Sequence, residues 1–406
     1  MSYQPEVNGE ILNFKVRDSV DRFLAHMIKQ GGSDLHVKAT ANIFARINGD
    51  ITKLSNDIFT KRQAITLAKE LLIGRFNEFV EKKELDFVYV MKDKMAVDEA
   101  HSEVRFRVNI FFQLEGVSAV FRVIPAEVKS LGECNLPSVL NKFVDVDRGL
   151  VLVTGITGSG KSTTLAALLN DINRNRRKHI ITIEDPIEFV HKDINCIINQ
   201  RSVGQDTISF ASALKAALRE DPDIILVGEM RDVETIEIAL HAANTGHLVL
   251  STLHTTDAVD TVNRIISTFD KDEQPRIRET LASVLKGIIS QRLVPTKKGG
   301  RVAAVEVMVQ TSFIEKLILE NRDFEILDAI KDGKDRVGSQ TFDQALVGLY
   351  QQRVISKQEA IHAATSESDI KLAMQGLSDS VTSDNSAIHD GLAGYNSSDV
   401  FELDEE

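Results

Sequence analysis

Leu150-Val151-Leu152-Val153-Thr154-Gly155-Ile156-Thr157-Gly158-Ser159-Gly160-Lys161-Ser162-Thr163 decides the fold. The opening apolar run is strand-sized and does not alternate, as expected of a strand buried on both faces. From Gly155 to Ser162 the chain satisfies G-x-x-x-x-G-K-[ST] at every fixed position, and Ser162–Asn170 reads as the helix that follows. The chemistry needs these residue types. Glycines let backbone N–H groups turn inward around phosphate oxygens. The helix N-terminus adds partial positive charge. Lys161 reaches the β- and γ-phosphates, and the Ser162 hydroxyl ligates magnesium. The pattern therefore predicts a cradle of Gly155, Ile156, Thr157, Gly158, Ser159, Gly160, Lys161, Ser162 and Thr163 for ATP with Mg2+. The alternative is a plain glycine turn between strand and helix, which this strand-before, helix-after setting disfavours.

Three more apolar runs end in polar residues. Ile224-Ile225-Leu226-Val227 leads into Gly228-Glu229, where Glu229 is expected as general base or, alternatively, as a strand cap paired with Arg231. Ile180-Ile181-Thr182-Ile183 leads into Glu184-Asp185-Pro186-Ile187-Glu188. Those carboxylates form either a site for a metal or a water, with Glu184 and Asp185 as metal ligands, or a solvated acidic loop. Leu248–Leu253 runs into His254, which faces the ligand crevice or serves the structure. Four strand ends converging on one crevice favour the functional readings.

Working outward, strands alternate with helices at Leu150–Thr154, Lys161–Asn173, His179–Glu184, Ser209–Arg219, Ile224–Val227, Thr235–Asn244 and Leu248–Leu253, which predicts a parallel α/β sheet. Helices are expected from Gln274 to about Leu377. Before the sheet, a polar arm covers residues 1–17 and a small mixed α/β domain covers 18–137. Its helices start near Ser19 and at Thr60, and it carries antiparallel strands at Phe87–Val90, Val104–Phe112 and Val117–Ile124. Pro125–Pro137 reads as a linker, with 138–148 leading into an ATPase domain over 149–377. Residues 378–406 hold eight acids, six serines and no Lys or Arg, so that tail is expected to be disordered and solubilising.

The chain has 406 residues, enough for two or three domains, and a net charge of -12. That charge argues against a nucleic-acid groove as the main surface. Cys134 and Cys196 have no CxxC partner, which excludes a zinc ribbon or a disulfide framework and points to a reducing compartment. No run approaches the ~18 apolar residues of a membrane span. The N-terminus shows no basic region, apolar stretch or cleavage site, so no signal peptide is expected and a cytoplasmic protein is.

The runs ITGSGKSTTLAALL (156–169), TIEDPIEF (182–189), DPDIILVGEMRDVET (221–235) and TGHLVLSTLHT (245–255) resemble, in order, the Walker A, Asp box, Walker B and His box of the type II/IV secretion ATPases. GGSDLHV (31–37), FRVN (106–109), FRVIP (121–125) and QRLVP (291–295) fit the same pattern. Over about residues 18–375 the chain most resembles the twitching-motility retraction ATPases, the PilT/PilU family. It lacks the four-cysteine zinc element and the long N-terminal domains of the extension and secretion branches. Ile314–Glu320 is a degenerate form of the motif AIRNLIRE, and Gln340–Leu346 resembles the PilU type. Gly158-Ser159-Gly160 and Val227–Asp232 are PilT-like. Ile156 departs from the usual Pro or Ala without touching a phosphate-binding position.

The resemblance implies a RecA-like P-loop ATPase domain, a small N-terminal PAS-like α/β domain and a helical C-terminal region. It implies a homohexameric motor that hydrolyses ATP to power type IV pilus retraction. The motor would be cytoplasmic and peripheral to the inner membrane, where a platform protein would be its partner. The alternative is a PilU-like accessory subunit docking on a paralogous retraction ATPase. By the same resemblance, Arg107 and Arg122 would reach the γ-phosphate, with Glu188 and His254 as catalytic helpers. Read from the strands alone, the two arginines are ordinary exposed residues.

Overall fold

The computed structural model describes residues 13–47, 49–92, 103–124 and 128–380, plus two short paired strands, β1 (Glu6–Val7) and β2 (Glu10–Ile11). It divides into two compact units. One comprises residues 1–127 with 186–190, the other 128–185 with 191–406.

After β1 and β2, the first unit continues with the helix Lys15–Lys29, which starts four residues before the expected Ser19 and so takes the end of the supposed arm into the fold. The Arg17 amide donates to a buried partner, Glu70 Oε2, at 2.7 Å, which fixes this early start. The strands β3 (Gly32–Lys38), β4 (Phe44–Ile47), β5 (Asp50–Lys53), β6 (Glu84–Lys92), β7 (Glu103–Gln113) and β8 (Gly116–Ile124) form an antiparallel sheet in the order β5-β4-β3-β8-β7-β6. Between them, helix Lys61–Leu72 starts at Thr60, whose side chain accepts from the Gln63 amide in a reciprocal capping box. Along β7, Phe106, Val108 and Ile110 are fully buried, and the alternate residues Arg105, Arg107 and Asn109 take the opposite face.

The second unit begins ten residues before the expected boundary. Leu131 and Leu136 are buried in one cluster with Leu140, Phe143 and Val144, so neither 128–137 nor 138–148 is a linker. The polar residues between these apolar ones disguise a covering segment as a loop. Seven strands, β9 (Gly149–Thr154), β10 (His179–Glu184), β11 (Ile197–Ser202), β12 (Ile224–Val227), β13 (Leu248–Leu253), β14 (Leu285–Pro295) and β15 (Arg301–Val309), lie in the order β11-β10-β12-β13-β9-β14-β15. Every neighbouring pair is parallel except β14 and β15. Leu150 and Leu152 join one apolar cluster, and Val151 and Val153 join another. The sheet is thus covered on both faces, which is why β9 shows no alternation.

The helices expected to dominate from Gln274 are interrupted by β14 and β15. Leu285–Val294 is mostly buried, but Lys286, Ser290, Gln291 and Arg292 interrupt its apolar residues and leave it without a clear period. The Thr296–Gly300 turn that follows makes it a hairpin. Five longer helices then close the described chain: Ser312–Leu319, Ile326–Asp332, Phe342–Gln351, Lys357–Ala363 and Glu367–Ser380. Of the segment 378–406 expected as a disordered tail, residues 378–380 end the last helix, and 381–406 lie outside the described residues.

Gly287, at the irregular start of the β14 pairing, faces the Phe143 ring and the Met308 carbonyl, and a Cβ there would overlap both. Gly287→Ala should therefore lower the unfolding free energy by about 1–3 kcal/mol in urea titrations. Adding Phe143→Leu should recover part of that loss, and purely additive losses would contradict the packing described.

Candidate functional site

Because β10, β12, β13 and β9 run parallel and in register, their carboxyl ends share one edge. Ligands of open α/β sheets bind at that edge. The loops that leave it carry Gly155–Gly160, Glu184, Glu229 and His254.

After β9 the chain turns through three glycines at positive φ: Gly155 (142°), Gly158 (78°) and Gly160 (95°). Gly160 is the N-cap of helix Lys161–Asn175. A Cβ on Gly155 would lie 2.5 Å from Ser159 Oγ and 2.6 Å from the Gln291 carbonyl of β14, so sterics as well as φ demand glycine there. Lys161 Nζ donates to the carbonyls of Gly155 (2.8 Å) and Ile156 (3.1 Å), folding a cation back over its own loop. Ser162 is half-buried in the first helical turn, while Ile156, Thr157, Gly158 and Thr163 are open to solvent. An ammonium group held by loop carbonyls at a helix N-terminus, with a hydroxyl one residue on, fits a polyphosphate and its counter-ion.

Glu229 pairs with Arg231, as the strand-cap reading expected, and also faces a histidine. Its Oε2 pairs with Arg231 Nη2 at 2.7 Å, and its Oε1 faces His254 Nε2 at 3.4 Å. Burial raises the Glu229 pKa, but Arg231 and His254 outweigh it and leave the carboxyl below its ordinary value. Glu229 is therefore an ionised, oriented acceptor beside a histidine. The tip of this strand is itself braced. Thr252 Oγ1 donates to the Gly228 carbonyl at 2.6 Å, and the Gly228 amide to the Ile183 carbonyl at 2.7 Å.

After β10, Glu184 and Asp185 belong to the second unit and Glu188 to the first. Glu184 Oε1 accepts from Thr182 Oγ1 (2.6 Å) and Gln200 Nε2 (3.2 Å), and Asp185 is exposed. Among the described residues, no three His, Cys, Asp or Glu side chains are placed to hold a metal ion. Magnesium commonly keeps several waters and binds through few protein groups plus substrate phosphates. The Ser162 hydroxyl fits that mode, and the ion would neutralise phosphate charge there.

Glu188 belongs with the first unit. There Ile187, Glu188 and Phe189 line a cavity of about 130 Å3 together with Arg107 and Arg122. Arg107 and Arg122 stand directly opposite each other across β7 and β8. Each has an acid: Arg122 Nε donates to Asp34 Oδ1 at 2.7 Å, and Arg107 Nε lies 3.7 Å from Asp86 Oδ1. Burial raises the Asp34 pKa, but Ser33 and Arg122 more than offset it, so Asp34 is ionised. Two guanidinium groups side by side, each with a counter-charge, make a patch able to take an anion.

Sequence reasoning assigned no role to Gln291, Thr164, Asp34 or Asp86. Asp34 and Gln291 sat inside quoted segments, GGSDLHV and QRLVP, but only the strand register reveals their partners.

The ion pair with Arg231 makes a pH prediction. Arg231→Ala removes a cation from an ionised carboxylate, so the Glu229 pKa must rise. The acid limb of the pH–rate profile for ATP hydrolysis should then move to higher pH, with the alkaline limb unchanged. An unmoved acid limb would show that Glu229 does not set it.

The family model described as "Type II/IV secretion system protein" matches residues 12–361. The type IV pilus retraction ATPase PilT of Pseudomonas aeruginosa is 45% identical over 342 residues, covering 84% of this chain and 96% of that protein. The type IV pilus ATPase PilU of the same organism is 38% identical over 374 residues, covering 92% and 96%. A crystal structure of the pilus retraction motor PilT with bound ADP superposes with a TM-score of 0.79 at 41% identity, covering 87% of this chain and 99% of that one. The fold expected from the sequence, a RecA-like ATPase domain in an α/β chain, is borne out. The chain belongs to the type II/IV secretion system protein family.

Proposed function

We propose that this chain is an ATPase that powers retraction of a type IV pilus. The observation that carries the reading is the phosphate loop at the carboxyl edge of a parallel sheet, with an ionised Glu229 on a neighbouring strand end. The higher identity to PilT than to PilU, 45% against 38%, favours the motor over the accessory subunit.

In this reading Gly155–Thr163 binds the nucleotide phosphates, and Lys161 leaves the loop carbonyls to pair with them. Ser162 holds Mg2+, which supplies charge neutralisation. Glu229 accepts the proton of the attacking water, with Arg231 and His254 fixing its orientation. We assign Arg107 and Arg122 to stabilising the charge of phosphoryl transfer and Glu188 to assisting them. Their support is the shared cavity and the cross-strand pairing. The working assembly is a homohexamer beside an inner-membrane platform protein. No described helix is long and apolar enough to cross a membrane, so such contact would be peripheral.

Two variants test this. Glu229→Gln should reduce ATP turnover about 10²–10⁴-fold while nucleotide still binds. Normal turnover would remove Glu229 from its role. A strain carrying only Lys161→Ala should display surface pili without twitching. Bald cells would mean that the motor drives assembly instead.

A further inference from the structure

The phosphate loop leaves two buried polar atoms without hydrogen-bond partners, Ser159 Oγ and Gln291 Oε1. Ser159 is 2% and Gln291 1% exposed, so both groups are shut off from bulk solvent, and an unsatisfied buried polar group is costly. Both residues crowd Gly155. Ser159 Oγ and the Gln291 backbone carbonyl lie 2.5 and 2.6 Å from the place of its missing Cβ. The other end of the Gln291 amide is used, since Nε2 donates to Thr164 Oγ1 at 2.8 Å in the first turn of the helix after the loop. The backbone bearing Gln291 is anchored next door. Arg292 Nη1 donates to the Ala363 carbonyl at 2.8 Å, and its guanidinium lies 3.9 Å over the Phe342 ring. Gln291 is therefore a fixed polar arm reaching from β14 to a loop that must change.

The loop must change because Lys161 now bonds the Gly155 and Ile156 carbonyls. A phosphate draws that ammonium outward and frees both carbonyls. We infer that Gln291 is a positioning residue for the phosphate loop, and that the Ser159 hydroxyl and the free end of the Gln291 side-chain amide close a hydrogen bond in the phosphate-bound loop. A hydroxyl both donates and accepts, so this bond forms whichever amide atom faces it. It would satisfy both orphaned groups at once and hold the loop open to phosphate by tying it to β14. The inference rests on the nucleotide reading above.

The test is a double-mutant cycle on ADP affinity in the full chain, measured by titration calorimetry with Ser159→Ala, Gln291→Met and their combination. Each single change should weaken ADP binding about five- to tenfold, and the double variant no further than the weaker single. The thermal midpoints without nucleotide should show no such coupling, because the bond is absent there. If Gln291→Met does not fold, Thr164→Val, which removes only the partner of Nε2, takes its place in the cycle with the same expectation. Additive losses of affinity, or lowered thermal midpoints with unchanged affinity, overturn the inference and leave the nucleotide site standing. A wild-type chain that binds no ADP overturns both.

Discussion

A missing side chain at residue 155 governs this molecule. The space where its Cβ would sit is already shared by Ser159 Oγ and the Gln291 carbonyl, and its φ of 142° excludes other residues on its own account. This close approach lets the loop turn from β9 into helix Lys161–Asn175 directly against β14. The direction of the helix N-terminus, the fold of Lys161 over its own carbonyls and the placement of Ser162 follow from it. The close approach requires β14 to lie beside β9, and so it requires the hairpin that extends the sheet past its parallel core.

Electrostatics then separates two kinds of charge. On the sheet edge, Glu229 is kept ionised against the cost of burial by Arg231 and His254, which suits an acceptor of protons. In the first unit, Arg107 and Arg122 are held by carboxylates on adjacent strands, Asp86 and Asp34. An incoming phosphate can compete for Arg107, whose pair with Asp86 is exposed on both sides and therefore weak. Arg122 is 67% exposed on its side chain, so its pairing with Asp34 orients it without sequestering it.

How much of this was legible in the sequence depends on how local each feature is. The loop, its strand and its helix lie within thirty residues, and their chemistry is written in residue types. Thr60 as a cap and Leu248–Leu253 as a strand were likewise readable from local pattern. Leu285–Val294 was not, because Lys286, Ser290, Gln291 and Arg292 break up its apolar pattern. The stretch 128–148 read as a linker because the fit of Leu131, Leu136 and Phe143 against the sheet is a tertiary fact. For the candidate site, the strand ends that bring Lys161, Ser162, Glu229 and His254 to one sheet edge were readable from local pattern. The diversion of Glu184 to Thr182 and Gln200, and the opposition of Arg107 to Arg122, are matters of register, which no single segment encodes.

Hydrogen exchange of the full chain with and without ADP tests the central claim most directly, since it reports on each loop amide. The account predicts slowed exchange at amides 155–164, where the glycine turn and the first helical turn enclose phosphate. Unchanged exchange across 155–164, with protection appearing on other elements, would contradict it.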